Sequence, residues 1–263
     1  MPLPDGSGAM AGAEPSRTSD LATRTVSALV MLVVSGFALW AGGWAWLVFV
    51  LVIGIGVWFE WSALCLLMYP PGGKRTAWRY GGAIYCGIAC AVLLALRDLP
   101  MGMFWVLMIV GAVIGTDIGA YFAGRAIGGP KIAPSISPSK TLAGLFGGMI
   151  GAGLVVALLV SRMTDPGFNS LFADSPKSPH DTYQVVVAPM GSPYGFALTG
   201  ALIAIVAQAG DFFESWMKRK AGVKDSGKLL PGHGGLFDRV DGLLLVLVVI
   251  GNVILIGQMS GGL

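Results

Sequence analysis

The sequence predicts an all-α, polytopic bundle of about seven membrane-spanning helices. Of its 263 residues, 55% are hydrophobic and only 12% are charged, and the mean hydropathy is +0.75. A soluble domain of this size does not need so much apolar sequence. Several stretches without Asp, Glu, Lys or Arg approach or exceed the roughly 20 residues that a spanning helix requires. They are residues 25–59, 80–96, 99–116, 141–161, 182–210 and 242–263.

The first of these stretches is long enough for two helices, and Gly42-Gly43 offers a turn inside it. The fourth and sixth helices are expected to continue beyond the hydrocarbon on the polar side of the membrane. The predicted helices are Leu21–Trp40, Trp44–Leu67, Tyr80–Leu96, Gly102–Ala123, Leu142–Val160, Phe196–Lys220 and Leu236–Gln258.

The segments outside the helices are polar. Residues 1–20 are small and polar with Pro and Gly, so we expect a disordered cytoplasmic tail followed by a single transmembrane domain over residues 21–263. The long connection Ser161–Tyr194 is expected to be an external loop, with His180 solvated in it.

The distribution of basic residues orients the chain. If the N-terminus is cytoplasmic, all of the 17 Lys and Arg residues except Arg97, Arg162 and Lys177 fall on the cytoplasmic side. Cytoplasmic loops of membrane proteins carry this excess of positive charge. We therefore expect a multi-pass protein of a bacterial-type inner (plasma) membrane. The net charge of +3 is then explained by the basic residues of the cytoplasmic segments, and no nucleic-acid partner is expected.

Residues 209–243 hold five acidic residues, six basic residues and a histidine between two apolar runs. Ionisable groups inside or beside a bilayer are costly and usually mark a working site. On a helix, Asp211, Ser215 and Lys218 share one face. Because Asp211 lies deep in the apolar sequence, its charge needs a cation or a basic partner such as Lys218.

Asp238 and Asp241 lie three residues apart at the start of the last predicted helix. Carboxylates that converge beside a loop rich in Lys and Arg suit Mg²⁺ with a polyphosphate, since Mg²⁺ takes a few carboxylates, waters and phosphate oxygens. The alternative is an intramembrane salt-bridge network that only locks helices together.

A second polar segment covers Thr116–Thr141. Asp117 lies in the fourth helix, with Tyr121 and Arg125 at helical spacing on the same face. A glycine turn, Lys131 and a Ser/Pro-rich stretch with Ser137 and Lys140 follow. Lysines, hydroxyls and backbone N–H groups suit a phosphate. An ordinary basic loop that touches anionic headgroups is the alternative.

These residues resemble the signature of the phosphatidate cytidylyltransferase (CDP-diacylglycerol synthase) family. That signature has a Ser, a Lys-Arg pair, a Lys-Asp pair, His-Gly-Gly and Asp-Arg-x-Asp at fixed spacings. This chain matches with Ser215, Lys218-Arg219, Lys224-Asp225, His233-Gly234-Gly235, Asp238-Arg239 and Asp241. Gly210-Asp211 and the upstream runs TDIGAYFAGRAIGGPK and SPSKT also resemble the family. One departure is Leu142-Ala143-Gly144, where the family usually has Trp-Glu-Gly. This chain therefore lacks the family's Glu at position 143, and any role of that Glu is not expected here.

The resemblance implies that CTP and phosphatidic acid give CDP-diacylglycerol and pyrophosphate in phospholipid biosynthesis, with Mg²⁺ and room for a second, monovalent or divalent, cation. It implies a metal set of Asp211, Asp238 and Asp241, with Ser215 and Lys218 completing the catalytic residues. The implied substrate-binding residues are Asp117, Arg125, Lys131, Ser137, Lys140, Arg219, Lys224, Asp225, His233 and Arg239. The site is expected to face the cytoplasm, in a cavity that also opens sideways to lipid.

Other functions fit parts of the same pattern. Another CTP-dependent lipid enzyme, such as a polyprenol or phytol kinase or an archaeal-lipid cytidylyltransferase, would use similar residues. An ion-coupled transporter could use Asp117 and Asp211, although no internal repeat supports this function. The glycine-rich helices would suit close packing in a homodimer, and equally packing within one subunit.

Overall fold

The computed structural model describes residues 17–162, 167, 193–230, 232 and 234–259. Within them, seven helical spans are long and apolar enough to cross a membrane, which confirms the predicted all-α polytopic bundle. The helices are α1 Arg17–Ala41, α2 Gly43–Met68, α3 Gly73–Asp98, α4 Gly102–Ala126, α5 Leu142–Arg162 and α6 Pro193–Ala221. The last span consists of α7 Phe237–Val246, a π-helical turn Leu247–Gly251 and α8 Asn252–Met259.

The starts of two helices differ most from the prediction. The helix α3 begins at Gly73, whereas the sequence predicted Tyr80. The predicted start was too late because hydropathy marks only the apolar part of a helix, and the first turns of α3 carry Lys74, Arg75 and Arg79. The helix α1 begins at Arg17, inside the segment predicted as a tail; residues 1–16 lie outside the described residues. Most of the predicted external loop also lies outside them.

The turn predicted inside the first apolar stretch is present. The helix α1 ends at Ala41 and α2 begins at Gly43, so a single residue connects them. Gly42 and Gly43 have φ angles of 62° and 47°, which are left-handed values that glycine adopts without a steric penalty.

A short antiparallel hairpin connects α4 to α5, where the sequence indicated only a Ser/Pro-rich loop. Its strands are β1 Lys131–Ala133 and β2 Ser137–Thr141, with Lys131 opposite Thr141. The Thr141 hydroxyl accepts a hydrogen bond from the Gly144 backbone N–H (3.0 Å) and so caps the start of α5. The hairpin therefore fixes Lys140, the residue before this cap, beside the first turn of α5.

Glycines bring the central helices close together. A Cβ atom at Gly115 of α4 would lie 2.8 Å from the Gly151 carbonyl oxygen of α5. A Cβ atom at Gly210 of α6 would lie 2.6 Å from the Asp241 carbonyl oxygen of α7. Small residues at such crossings let helix backbones approach closely in a membrane. The polar residues of α4, α6 and α7 are thereby held at one end of one tightly packed unit.

The close crossing of α4 and α5 predicts a selective sensitivity to side-chain size. Gly115→Val should lower the free energy of unfolding by about 1–3 kcal/mol, because the side chain would meet backbone. The matched control is Gly87→Val on α3, where an added Cβ has no neighbour within 4 Å. Thermal unfolding in detergent checks the prediction, and equal melting temperatures for the two variants would contradict it.

Candidate active site

A lysine bridges α6 to the start of α7. Lys218 Nζ lies 2.5 Å from Glu214 Oε2 on its own helix and 2.7 Å from Asp238 Oδ1. The Glu214 side chain is only 1% exposed, so its nearest cation is an essential partner. Lys218 therefore holds the two acidic helices together at the polar end of the bundle.

Asp238 organises the loop that precedes α7. The Gly235 backbone N–H donates to Asp238 Oδ2 (2.9 Å), and the Ser226 N–H donates to both oxygens (3.1 and 3.2 Å). A carboxylate in the first turn of a helix is also stabilised by the helix dipole. Asp238 thus holds the backbone of Ser226 and of Gly235 beside the start of α7, with Lys218 next to them.

A third ion pair connects the hairpin to α6. Lys140 Nζ of β2 contacts Asp211 Oδ2 of α6. Asp117 of α4 interacts electrostatically with both members of this pair, and Asp241 of α7 interacts with Asp211 and Glu214. Three helices, α4, α6 and α7, therefore contribute to one carboxylate cluster, which comprises Asp117, Asp211, Glu214, Asp238 and Asp241, and the hairpin adds Lys140.

Carboxyl groups outnumber basic groups in this cluster. Its carboxyl groups face two lysines, Lys140 and Lys218, in the ion pairs that the structure describes. Asp211 uses Oδ2 for Lys140, and the hydrogen bond described for Asp241 comes from its own neighbour, Gly242 N–H (2.8 Å). Carboxyl oxygens in such excess over lysines fit a hard divalent cation, which prefers oxygen ligands.

The described residues contain no group of three or more His, Cys, Asp and Glu side chains arranged to hold a metal ion. Both Asp238 oxygens accept hydrogen bonds, whereas Asp211 pairs with Lys140 through Oδ2 and Asp241 accepts from the Gly242 N–H through Oδ1. The predicted metal set of all three aspartates therefore stays a prediction.

The other predicted site residues lie on α4, α6 and α7, on the hairpin and in the α6–α7 connection. Ser215 is half-buried on α6, and Arg219 Nε donates to the Ile136 carbonyl of the hairpin (3.4 Å). Arg125 donates to Tyr121 on its own helix (3.3 Å), as their spacing predicted. Lys131 and Ser137 lie on the hairpin. Lys224 and Asp225 are exposed in the α6–α7 connection, and Arg239 is exposed on α7. His233 lies outside the described residues.

Sequence reasoning missed Glu60 of α2, which is only 5% exposed. Its oxygens accept hydrogen bonds from the Leu236 and Phe237 backbone N–H groups (3.0 and 2.8 Å) and from the Ser226 hydroxyl (2.9 Å). It therefore caps α7 from another helix and anchors the preceding loop. The available signal was a single carboxylate inside a long apolar helix.

Glu60 predicts a graded loss of stability. Glu60→Ala should lower the free energy of unfolding by about 1–3 kcal/mol, because it leaves buried backbone donors unsatisfied. Ser226→Ala removes one partner and keeps the helix cap, so its effect should be smaller, about 0.5–1.5 kcal/mol. Thermal unfolding with limited proteolysis of the 222–236 loop measures both. An unfolding curve of Glu60→Ala that matches the wild type would refute the capping role.

Known proteins are similar to this sequence over most of its length. A family model described as the cytidylyltransferase family matches residues 65–256. The chain is 33% identical over 271 residues to a phosphatidate cytidylyltransferase of Brucella suis biovar 1 (strain 1330), which covers 86% of this chain and 90% of that relative. A protein of the same name from Bacillus subtilis (strain 168) is 35% identical over 167 residues, or 63% of this chain and 53% of the relative.

A shorter match with a higher identity is to a protein of Thermotoga maritima (strain ATCC 43589 / DSM 3109 / JCM 10099 / NBRC 100826 / MSB8). Its phosphatidate cytidylyltransferase is 65% identical over 46 residues, which is 18% of this chain and 17% of that relative. The family match covers α3 to α7, the hairpin and all five members of the carboxylate cluster. By this match and by the extent of the Brucella similarity, the chain belongs to the cytidylyltransferase family.

Proposed function

We propose that this chain transfers the cytidylyl group of CTP to phosphatidic acid, which gives CDP-diacylglycerol and pyrophosphate. The observation that carries the proposal is the carboxylate cluster with Lys140 and Lys218 at one end of an apolar bundle. A site there can meet a water-soluble nucleotide and a membrane lipid at the same time. The names of the relatives supply the substrate pair.

The residues suit a reaction between two anions. An oxygen of the lipid phosphate attacks the α-phosphorus of CTP, the bond to the bridging oxygen breaks, and pyrophosphate leaves with that electron pair. A phosphate monoester is largely ionised near neutral pH, since its second pKa is about 6, so no strong general base is required. The main demand is to offset repulsion and the charge that develops on the leaving group.

Lys140 and Lys218 are the half-buried cations nearest to the carboxylates. A substrate phosphate can take over their ion pairs, because it offers the ammonium groups the same kind of oxygen acceptor. Arg219 and Lys224, at the exposed end, would then hold the pyrophosphate portion. Ser215, one turn after Asp211, would donate a hydrogen bond to a phosphate oxygen.

Mg²⁺ fits the excess of carboxyl groups in the cluster. Asp211 and Asp241 would hold it, and Asp238 would join them once Lys218 transfers to a substrate phosphate. When bound, Mg²⁺ would neutralise phosphate oxygens and favour departure of pyrophosphate. The remaining carboxyl groups, Asp117 and Glu214, leave room for a second, monovalent or divalent, cation.

The carboxylate end is proposed to face the cytoplasm of a bacterial-type cell. Nine of the 17 Lys and Arg residues lie in the hairpin, in the α6–α7 connection or on the helix ends beside them, as expected for cytoplasmic segments: Arg125, Lys131, Lys140, Lys218, Arg219, Lys220, Lys224, Lys228 and Arg239. The relatives are bacterial, and CTP is a cytoplasmic metabolite. The start of α1 at Arg17 is proposed to lie at the same end, because α1 and α2 are joined by a tight turn at the other end of α1.

The position of the label separates this reaction from its nearest rival. Purified protein with phosphatidic acid, Mg²⁺ and α-³²P-CTP should yield a labelled lipid, and γ-³²P-CTP should yield labelled pyrophosphate only. A CTP-dependent lipid kinase would move the γ label into lipid and leave the α label in CDP. Labelled lipid from γ-³²P-CTP alone would therefore overturn the proposal.

The proposed metal role predicts the behaviour of Asp241→Asn. The substitution keeps the shape and removes a charge, so kcat should fall about 10²-fold or more and half-saturation should need more Mg²⁺. Asp98→Asn, at the far end of α3, is the matched control and should behave like the wild type. Turnover and Mg²⁺ titration in detergent measure both effects. Unchanged kcat and Mg²⁺ dependence in Asp241→Asn would exclude this role.

A further inference from the structure

A cavity of about 540 Å³ lies beside the carboxylate cluster. We name it the aromatic trough; its lining residues are Trp61, Ala77, Trp78, Gly81, Tyr85, Phe213 and Leu245. They come from α2, α3, α6 and α7. The volume falls within the range of roughly 300–1,000 Å³ that is typical of ligand pockets.

The small residues of α3 leave the trough open. Ala77, Gly81 and Tyr85 recur every four residues and so form one stripe along the helix. Ala77 and Gly81 are exposed, and a Cβ atom at Gly81 would have no neighbour within 4 Å. The trough is thus a cleft with an aromatic back wall and an open side along α3.

The wall of the trough is apolar and well ordered by its own contacts. Phe213 packs against Trp61 (ring centroids 5.6 Å apart) and stacks on Trp78 (6.4 Å). The Trp61 indole N–H already donates to the Trp78 carbonyl oxygen (2.9 Å). A nucleobase would therefore find aromatic faces but few partners for its polar edge, which would be costly to bury unpaired. An alkyl chain makes no such demand.

The residues that line the trough are neighbours of the carboxylate cluster. Leu245 lies one turn after Asp241 on the same face of α7. Tyr85 lines the trough and interacts electrostatically with Asp241. Phe213 lies on α6 between two members of the cluster in sequence, Asp211 and Glu214. A ligand with a charged head at the cluster would have its apolar part beside the trough.

The interfacial end of the aromatic wall carries a positive charge. Trp78 packs against Tyr69 and Trp216 (ring centroids 6.0 and 5.6 Å apart). Lys220 Nζ lies over both of these rings, 4.4 Å from the Tyr69 centroid and 5.0 Å from the Trp216 centroid. Aromatic and basic side chains of this kind mark the membrane–water interface. The trough therefore starts at the interface and extends toward the apolar core.

We propose that the aromatic trough binds one acyl chain of the lipid substrate, while the lipid phosphate lies at the carboxylate cluster. This inference rests on the proposed function for the identity of the lipid. On this proposal, α3 and the back wall of the trough determine which acyl-chain lengths the protein accepts. The residues that bind the phosphate are separate from them.

Filling the trough tests the proposal with a matched pair of variants. Gly81→Leu places a side chain in the open space, whereas Gly87→Leu adds the same group to the same helix outside the lining. We expect Gly81→Leu to raise the KM for long-chain phosphatidic acid roughly tenfold, about 1.4 kcal/mol. The KM for a dihexanoyl analogue and for CTP should stay near the wild-type values, as should all constants of Gly87→Leu. An unchanged long-chain to short-chain ratio in Gly81→Leu, or a rise only in the KM for CTP, would overturn the proposal.

Photolabelling provides a test that does not need turnover. Phosphatidic acid with a diazirine in its acyl chain should label α3 and α6 peptides of the wild type and of Gly87→Leu, and label Gly81→Leu much less. Unlabelled phosphatidic acid should compete, and phosphatidylcholine should not. Equal competition by both lipids would mean a groove for bulk lipid and would refute the proposal. If selective labelling persists but no CDP-lipid forms, the trough stands and the proposed reaction fails.

Discussion

An excess of carboxyl groups over lysines, held partly buried at one end of an apolar bundle, is the constraint on which the rest of the structure depends. Each such group would be costly beside lipid without a cation or a hydrogen bond. Lys218 therefore pairs with Glu214 and Asp238, and Lys140 pairs with Asp211. These pairs connect α6, α7 and the hairpin, so the interactions that stabilise this end are also the ones that phosphates and a divalent cation would replace.

The apolar part of the fold supports this arrangement by bringing backbones close. Gly115 and Gly151 allow α4 to contact α5, and Gly210 places α6 directly against Asp241 of α7. Glu60 adds a constraint from α2, because it holds the start of α7 from outside the cluster. The close crossings leave little freedom for the carboxylates to separate, and preorganised charge is what phosphoryl chemistry requires of a protein.

The sequence was informative where a pattern is local and silent where a contact joins distant segments. The spacing of Asp211, Ser215 and Lys218 placed them on one helix face, and hydropathy located all seven spans. Nothing local predicts that Lys140 reaches Asp211, which is 71 residues away in the chain. The role of Glu60 depends in the same way on packing between α2 and α7. Hydropathy also missed the polar first turns of α3, because it identifies apolar side chains that suit a membrane and not the backbone hydrogen bonds that define a helix.

The most direct measurement of the central claim is a Mn²⁺ titration followed by electron paramagnetic resonance, with Mn²⁺ in place of Mg²⁺. It should be made on the wild type, on Asp211→Asn with Asp241→Asn, and on Asp98→Asn as the control. The account predicts bound Mn²⁺ in the wild type and the control, and its loss in the double variant without a change in thermal stability large enough to indicate unfolding. Equal Mn²⁺ binding by all three proteins would contradict it, because the carboxylate cluster would then be a structural network and not a cation site.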